Sequence, residues 1–268
     1  MAATPASTAT PAGRVAFVGA GPGQADLITL RGAQRLSQAA VVLTDALADP
    51  ALRELAPQAR WLHVGKRGFT DSTGQEAINA LLIKCARAVG PEGLVVRLKG
   101  GDPSVFGRLE EELLAMADAH IACEVVPGVT AALAAAASAQ RPLTRRGAGR
   151  SVSFATAMTA APTDADALPA SCSADTEVFY MAGKQLAALS RKLIRAGWPT
   201  LTAVCVISRA GWPDELHSDH TVATLSRASM LHAGRPTVVV VGAGAWPLRS
   251  VAGTAARLAS ASPIPLST

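Results

Sequence analysis

Three short apolar runs in the first half of the chain break at clusters of small residues, and each then gives way to a helical pattern. The clusters are Gly19-Ala20-Gly21-Pro22-Gly23, Gly100-Gly101-Asp102-Pro103 and Pro127-Gly128-Val129-Thr130-Ala131. A chain that leaves one strand by a tight turn and returns along a helix lays its next strand parallel to the first. The feature therefore commits the chain to an α/β fold, with small residues where the backbone approaches a ligand at the strands' carboxyl ends.

The same logic places strands at 15–19, 40–44, 61–64, 94–98 and 123–126, with helices at 26–38, 49–56, 74–88, 107–119 and 130–139. After the Gly- and Arg-containing stretch 141–150 the pattern restarts, with strands at 151–156, 177–181, 203–208 and 237–242. We expect a leader at 1–13, an N-terminal α/β domain at 14–140, a linker at 141–150, a C-terminal α/β domain at 151–250 and a tail at 251–268. The leader, mostly Ala, Thr and Pro, reads as disordered rather than as a signal peptide. The stretch 160–175, rich in Ala, Pro, Asp and Ser, reads as a surface insertion.

Composition removes several classes of function. Hydrophobic residues make up 49% of the 268 residues, enough for a core, yet no apolar run is long enough to span a bilayer. Cys85, Cys123, Cys172 and Cys205 form no CxxC pair and match no His spacing, which suggests neither a metal site nor a disulfide framework. Cytoplasm is the expected compartment. The net charge of +5 is carried mainly by Arg, whose planar fork suits carboxylate or phosphate partners. Charge of this size does not separate a nucleic acid from a polyanionic metabolite.

Each cluster has a competing explanation. Gly19, Gly21 and Asp45 outline a dinucleotide-binding fingerprint, but the third glycine comes too early and Pro22 removes a backbone donor from the turn. Gly-Asp-Pro is a common turn, and Glu110 and Glu112 at a helix start serve the helix dipole. Arg108 stands apart, because a guanidinium beside such a loop sits at the mouth of a cleft. Three turns of one kind, in order, are far more specific than any one.

Taken with Val64-Gly65-Lys66-Arg67, Arg97-Leu98-Lys99-Gly100-Gly101-Asp102-Pro103, Val105-Phe106-Gly107-Arg108 and Pro142-Leu143-Thr144, these turns resemble the tetrapyrrole methylase family. The likeness runs from about residue 15 to 244 and is strongest toward members that methylate carbon atoms of uroporphyrinogen III. It implies two α/β domains with S-adenosylmethionine in the cleft between them, a tetrapyrrole substrate, no metal and a homodimer. By position it assigns Pro22, Gly100, Gly101, Asp102, Val105, Thr130, Ala131, Met181, Ala210 and Gly211 to the cofactor. Asp45, Lys66 and Arg108 take the catalytic positions, and Arg108, Glu111 and Arg146 those facing substrate. Met181 as a core methionine, Lys66 as a strand-end lysine and Arg146 as a loop charge are the plainer alternatives.

Three stretches depart from the family pattern: Ala46 replaces an arginine, Leu109 and Glu110 replace two glycines, and Ala157-Met158 replaces Gly-His. They bear on substrate choice more than on cofactor binding. The expected activity is conversion of uroporphyrinogen III to precorrin-2 by methylation at C2 and C7, toward sirohaem, cobalamin or haem d1. A precorrin methylase acting at another ring position and a cofactor-binding module without catalysis are the alternatives.

Overall fold

A computed structural model describes residues 12–64, 74–158 and 174–248. The first half contains β1 (Arg14–Gly19), α1 (Leu30–Ser37), β2 (Val41–Thr44), β3 (Arg60–His63), α2 (Gln75–Ala88), β4 (Leu94–Lys99), α3 (Leu109–Asp118), β5 (Cys123–Val126) and α4 (Ala131–Ser138). Its five strands form one sheet in the order β3-β2-β4-β1-β5, and every pairing is parallel. Alternate residues of β1 bury opposite ways. Ala16 and Val18 meet Leu36 and Leu52 on one face, while Val15 and Phe17 meet Leu82 and Met116 on the other. Helices thus cover both faces of the sheet, which explains why its inner strands β1, β2 and β4 are buried along nearly their whole length while the edge strands β3 and β5 are not. Because β1 lies between β4 and β5, the chain reverses its direction of travel across the sheet beside β1, where such folds open a crevice.

The second half contains β6 (Val152–Thr156), β7 (Thr176–Tyr180), α5 (Leu186–Arg195), β8 (Ala203–Ser208), β9 (Leu216–Thr221) and β10 (Thr237–Gly242), in the order β6-β7-β10-β8-β9. Only β6 and β7 are parallel; β10 runs antiparallel to both β7 and β8, and β8 pairs antiparallel with β9. The second sheet is therefore mixed, although the residues making its centre are as apolar as those of the first. The α5 face built on Leu186, Leu189 and Leu193 packs against Val204, Val206, Val239 and Val241.

Four elements differ from the sequence expectation. The helix expected at 26–38 begins only at Leu30, because Thr29 accepts the Gly32 N–H as an N-cap and residues 25–27 form a separate 3₁₀ turn. The helix expected at 49–56 is a 3₁₀ segment (Pro50–Leu55) that starts on Asp49 and Pro50. Helix α5 and strand β9 are additions. Strand β9, Leu-His-Ser-Asp-His-Thr, is a polar edge strand and carries no apolar signature. Residues 1–11 of the leader, the expected tail at 251–268 and most of the expected insertion lie outside the described residues.

Candidate active site

The three glycine turns meet at the carboxyl ends of β1, β4 and β5. Gly21 and Gly101 pair through their backbones, with N···O distances of 3.2 and 2.9 Å. Behind them a Cβ on Gly19 would stand 2.6 Å from the Gly128 Cα, and one on Gly128 would stand 2.4 Å from the Gly101 carbonyl oxygen. Only glycine allows the three backbones to lie this close. Asp102 locks the arrangement: its carboxylate accepts the Ser104 N–H at 2.8 Å and the Gly128 N–H at 2.9 Å, tying one turn to the next. Asp45, just beyond β2, accepts the Leu47 N–H at 2.9 Å and the Gly100 N–H at 3.1 Å.

The second half closes the space from the other side. Met181 follows β7 and Arg209 follows β8, both with left-handed backbones (φ 56° and 54°). A non-glycine residue held there costs about 1 kcal/mol or more, so the surroundings must enforce the conformation. The Pro22-Gly23 turn abuts the Ala210-Gly211 turn so closely that a Cβ on Gly23 would lie 2.7 Å from the Ala210 carbonyl oxygen. Between these turns lies a cleft of about 360 Å³.

Pro22, Gly100, Gly101, Asp102, Val105, Thr130, Ala131, Met181 and Ala210, nine of the residues assigned to the cofactor, all line this cleft. Gly211 stands behind Ala210 and gives its N–H to Glu215. Asp45 and Arg108 also line the cleft, whereas Lys66 lies outside the described residues. Arg108 is the left-handed residue before α3, and its guanidinium pairs in a fork with Glu111 at 2.6 and 2.7 Å. That pairing raises the Arg108 pKa and lowers that of Glu111. Of the other residues assigned to substrate, Glu111 reaches the cleft only through Arg108, and Arg146 is exposed on a loop that does not line it.

Sequence reasoning missed a charged group in the cleft wall. Glu112, assigned above to the helix dipole, is fully buried between Arg97 Nε at 3.0 Å and Lys99 Nζ at 2.5 Å, and Gln75 donates to the same carboxylate. Arg97, Lys99 and Gln75 line the cleft. Burial, followed by the neighbouring Arg97 charge, lowers the Lys99 pKa against the pull of Glu112. The signal was two cations inside the buried run Leu94–Lys99, which require an anion close by. Tyr180, the chain's single tyrosine, was missed as well. Its hydroxyl lies 2.8 Å from Thr130 Oγ1, and its ring packs 5.0 Å from that of Phe106, so side chains from both halves meet in one wall.

A contact that the sequence spacing does not reveal forms across the β8–β9 pairing, which sets His217 Nε2 3.1 Å from Cys205 Sγ, with Asp219 beside them. Arg141 donates to both Asp219 oxygens, and burial pushes the Cys205 thiol up to about 12. The group thus anchors the 141–150 segment onto β9 through an ion pair.

With this geometry in view, relatives of the chain are informative. A sequence profile described as Tetrapyrrole (Corrin/Porphyrin) Methylases matches residues 14–226. "Siroheme synthase 2" of Yersinia pestis (strain Pestoides F) is 43% identical over 232 residues, 86% of this chain and 48% of that protein. The siroheme synthase of Neisseria meningitidis serogroup C (strain 053442) is 41% identical over 233 residues. The chain spans about half the length of these relatives. Among solved structures, uroporphyrin-III-C-methyltransferase from Thermus thermophilus is 38% identical with a TM-score of 0.72, covering 87% of this chain and 93% of that one. A Thermus thermophilus structure complexed with S-adenyl homocysteine is 33% identical with a TM-score of 0.73, covering 86% and 97%. By profile, sequence and fold alike, the chain belongs to the tetrapyrrole methylases.

Proposed function

We propose that the chain is an S-adenosylmethionine-dependent C-methyltransferase that converts uroporphyrinogen III to precorrin-2 by methylation at C2 and C7. The observation that carries this reading is the gathering of nine cofactor-assigned residues, drawn from both halves of the sequence, around one cleft. A relative of the same fold holds the demethylated cofactor. The backbone fits such a guest. At Gly101 a Cβ would meet nothing nearer than 3.9 Å, so its φ of 74° and open flank leave room for a ligand against the turn.

When bound, S-adenosylmethionine supplies an electrophilic methyl group on a positively charged sulfur. An electron-rich pyrrole carbon of the substrate would take that methyl, with Pro22, Gly100, Gly101, Thr130 and Met181 the lining residues that would hold its donor. The chain's part is chiefly placement, which in well-oriented model reactions lowers a barrier by about 7–11 kcal/mol. The glycine turns and Met181 set the cofactor side. Arg108 stands at the mouth of the cleft, where its fork suits the substrate's carboxylates once it is released from Glu111. The ring then sheds a proton, and Asp45 accepts it: its carboxylate is held in the cleft wall by two N–H groups and keeps free lone pairs. Lys66 is the second candidate for proton transfer. The enzyme works as a cytoplasmic homodimer, and light scattering of the purified chain tests the assembly.

Anaerobic incubation with S-adenosylmethionine and uroporphyrinogen III should give a product heavier by two methyl groups. Turnover of a later corrinoid alone would overturn the assignment. A specific observation keeps methylation at another ring position as the second reading. A cobalt precorrin-4 methyltransferase superposes equally well, with a TM-score of 0.74 at 28% identity.

A further inference from the structure

The cofactor side of the cleft rests on a hydrogen-bonded chain that runs from the edge of the second sheet to the cleft wall. His220 Nε2 lies 2.9 Å from Ser218 Oγ, which lies 2.8 Å from His232 Nε2. His232 Nδ1 lies 2.6 Å from Ser208 Oγ, Ser208 Oγ lies 2.7 Å from Thr237 Oγ1, and Thr237 donates to the Arg235 carbonyl at 2.9 Å. His232, Ser208 and Thr237 are all buried.

The terminal carbonyl sets the direction of every bond. A carbonyl only accepts, so the single Thr237 hydroxyl hydrogen is spent on Arg235, and Ser208 must donate to Thr237. Ser208 then has no hydrogen for His232, so His232 carries its proton on Nδ1 and donates. Its Nε2 is left to accept from Ser218, which in turn accepts from His220 Nε2–H. One tautomer of each ring satisfies the whole chain, with His232 neutral. The groups that act on the His232 charge are His220 and His217 of β9 and Arg235 of its own segment. All of these are cationic or potentially so, and together with burial they press the ring toward neutrality, its pKa lowered to about 4. Protonation on Nε2 would turn the Ser218 hydroxyl round and reverse the outer bonds. The inner half, fixed by the Arg235 carbonyl, keeps its direction.

The inner half ends where two strained turns are hung. The Thr237 carbonyl accepts the Ala182 N–H at 3.2 Å, directly after left-handed Met181, and the Pro236 carbonyl accepts the N–H of left-handed Arg209 at 2.9 Å. Met181, Arg209, Ala210, Pro236, Thr237 and Val238 all line the cleft. Gly183 fits beneath them only because it lacks a side chain, since a Cβ there would stand 2.4 Å from the Arg235 carbonyl oxygen. We propose that His232 is a positioning residue for cofactor binding. Through Ser208 and Thr237 it fixes the segment that holds the Met181 and Arg209-Ala210 turns in their binding shape. The inference rests on the proposed function and names a determinant of cofactor affinity outside the cleft itself.

Calorimetric titration with S-adenosylhomocysteine, together with melting curves, tests it. His232→Phe removes both links and should weaken S-adenosylhomocysteine binding tenfold or more, raising KM for S-adenosylmethionine while kcat at saturation stays within about twofold. His232→Asn keeps a donor near the Nδ1 position and should restore affinity to within about threefold. Ser218→Ala cuts only the outer half and should lower the melting temperature while leaving affinity unchanged. Ser208→Ala, which opens the chain next to Thr237, should reproduce the affinity loss if His232→Phe does not fold. Wild-type affinity in His232→Phe or Ser208→Ala, or a loss in Ser218→Ala as large as theirs, overturns the proposal. A wild-type protein that does not bind S-adenosylhomocysteine at all sinks the proposed function as well, so the two failures are told apart by the wild-type titration alone.

Discussion

A side chain's role here depends on how many of its bonding options the fold has already used. Glu112 illustrates this: fully buried, it answers two cations at once. Replacing it with Gln takes away the one carboxylate that pairs with both Arg97 and Lys99, and breaking such a group costs about 3–5 kcal/mol. Lys99→Met leaves a balanced Arg97–Glu112 pair and should cost much less. Urea denaturation of the two variants should therefore rank Glu112→Gln as clearly the less stable, and equal midpoints would refute the shared-anion picture. The place of Asp45 in the cleft wall was legible from the sequence because it follows a strand in a family pattern. Glu112 was not, because its partners come from a strand thirteen and fifteen residues earlier and only the fold brings them together. His232 makes its own prediction at this scale. Its pKa is lowered from 6.5 to about 4, so the unfolded chain takes up a proton that the folded one refuses. The stability this ring contributes is fully present above pH 6.5 and is lost as pH falls toward 4, a change of about 3 kcal/mol. His232→Asn should flatten that part of the stability profile in pH-dependent melting.

At the scale of elements, the turns carry more information than the strands they end. The inner strands β1, β2 and β4 were readable because both their faces are buried, and the Gly-rich ends were readable because close backbone approach admits no Cβ. Gly128→Ala should test this directly, since the added carbon would sit 2.4 Å from the Gly101 carbonyl oxygen and 2.8 Å from the Gly19 Cα, both backbone. Neither neighbour can yield as a side chain would, so a loss of about 1–3 kcal/mol in stability is expected, with weaker cofactor binding. Ala substitution at Gly90, where nothing lies within 4 Å, should leave binding unchanged, although its φ of 74° makes some strain unavoidable. Thermal melts with and without S-adenosylhomocysteine separate the two. The limits of the sequence are clearest in β9, whose polar edge residues show no alternation, and in the mixed direction of the second sheet. Apolar runs report burial; they do not report which way a buried strand points. The start of α1 was misplaced for a related reason, since the Thr29 cap competes with an equally plausible acidic start at Asp26.

For the molecule as a whole, the cleft exists only while the two sheets hold their loops against each other, and one close point of that contact is Gly23 against Ala210 and Gly211. A Cβ on Gly23 would meet the Ala210 carbonyl oxygen at 2.7 Å and the Gly211 carbonyl carbon at 2.9 Å, and φ at this glycine is 96°. Gly23→Ala should push the halves apart at one edge of the cleft without touching either core. Each core keeps its own packing, Leu36 and Leu52 in one and Leu186 and Leu189 in the other. The unliganded protein should then melt within a few degrees of wild type. The liganded protein should not. Ligand at a hundred times Kd stabilises the folded state by about 2.7 kcal/mol. For a chain of this size each kcal/mol moves the midpoint by roughly 2–4 °C, so the rise is roughly 5–11 °C. S-adenosylhomocysteine should give wild type a shift of this order, and much less to Gly23→Ala at the same concentration. An equal shift in both would mean that the cofactor is held by one half alone, and the contact between the halves would lose its role in binding.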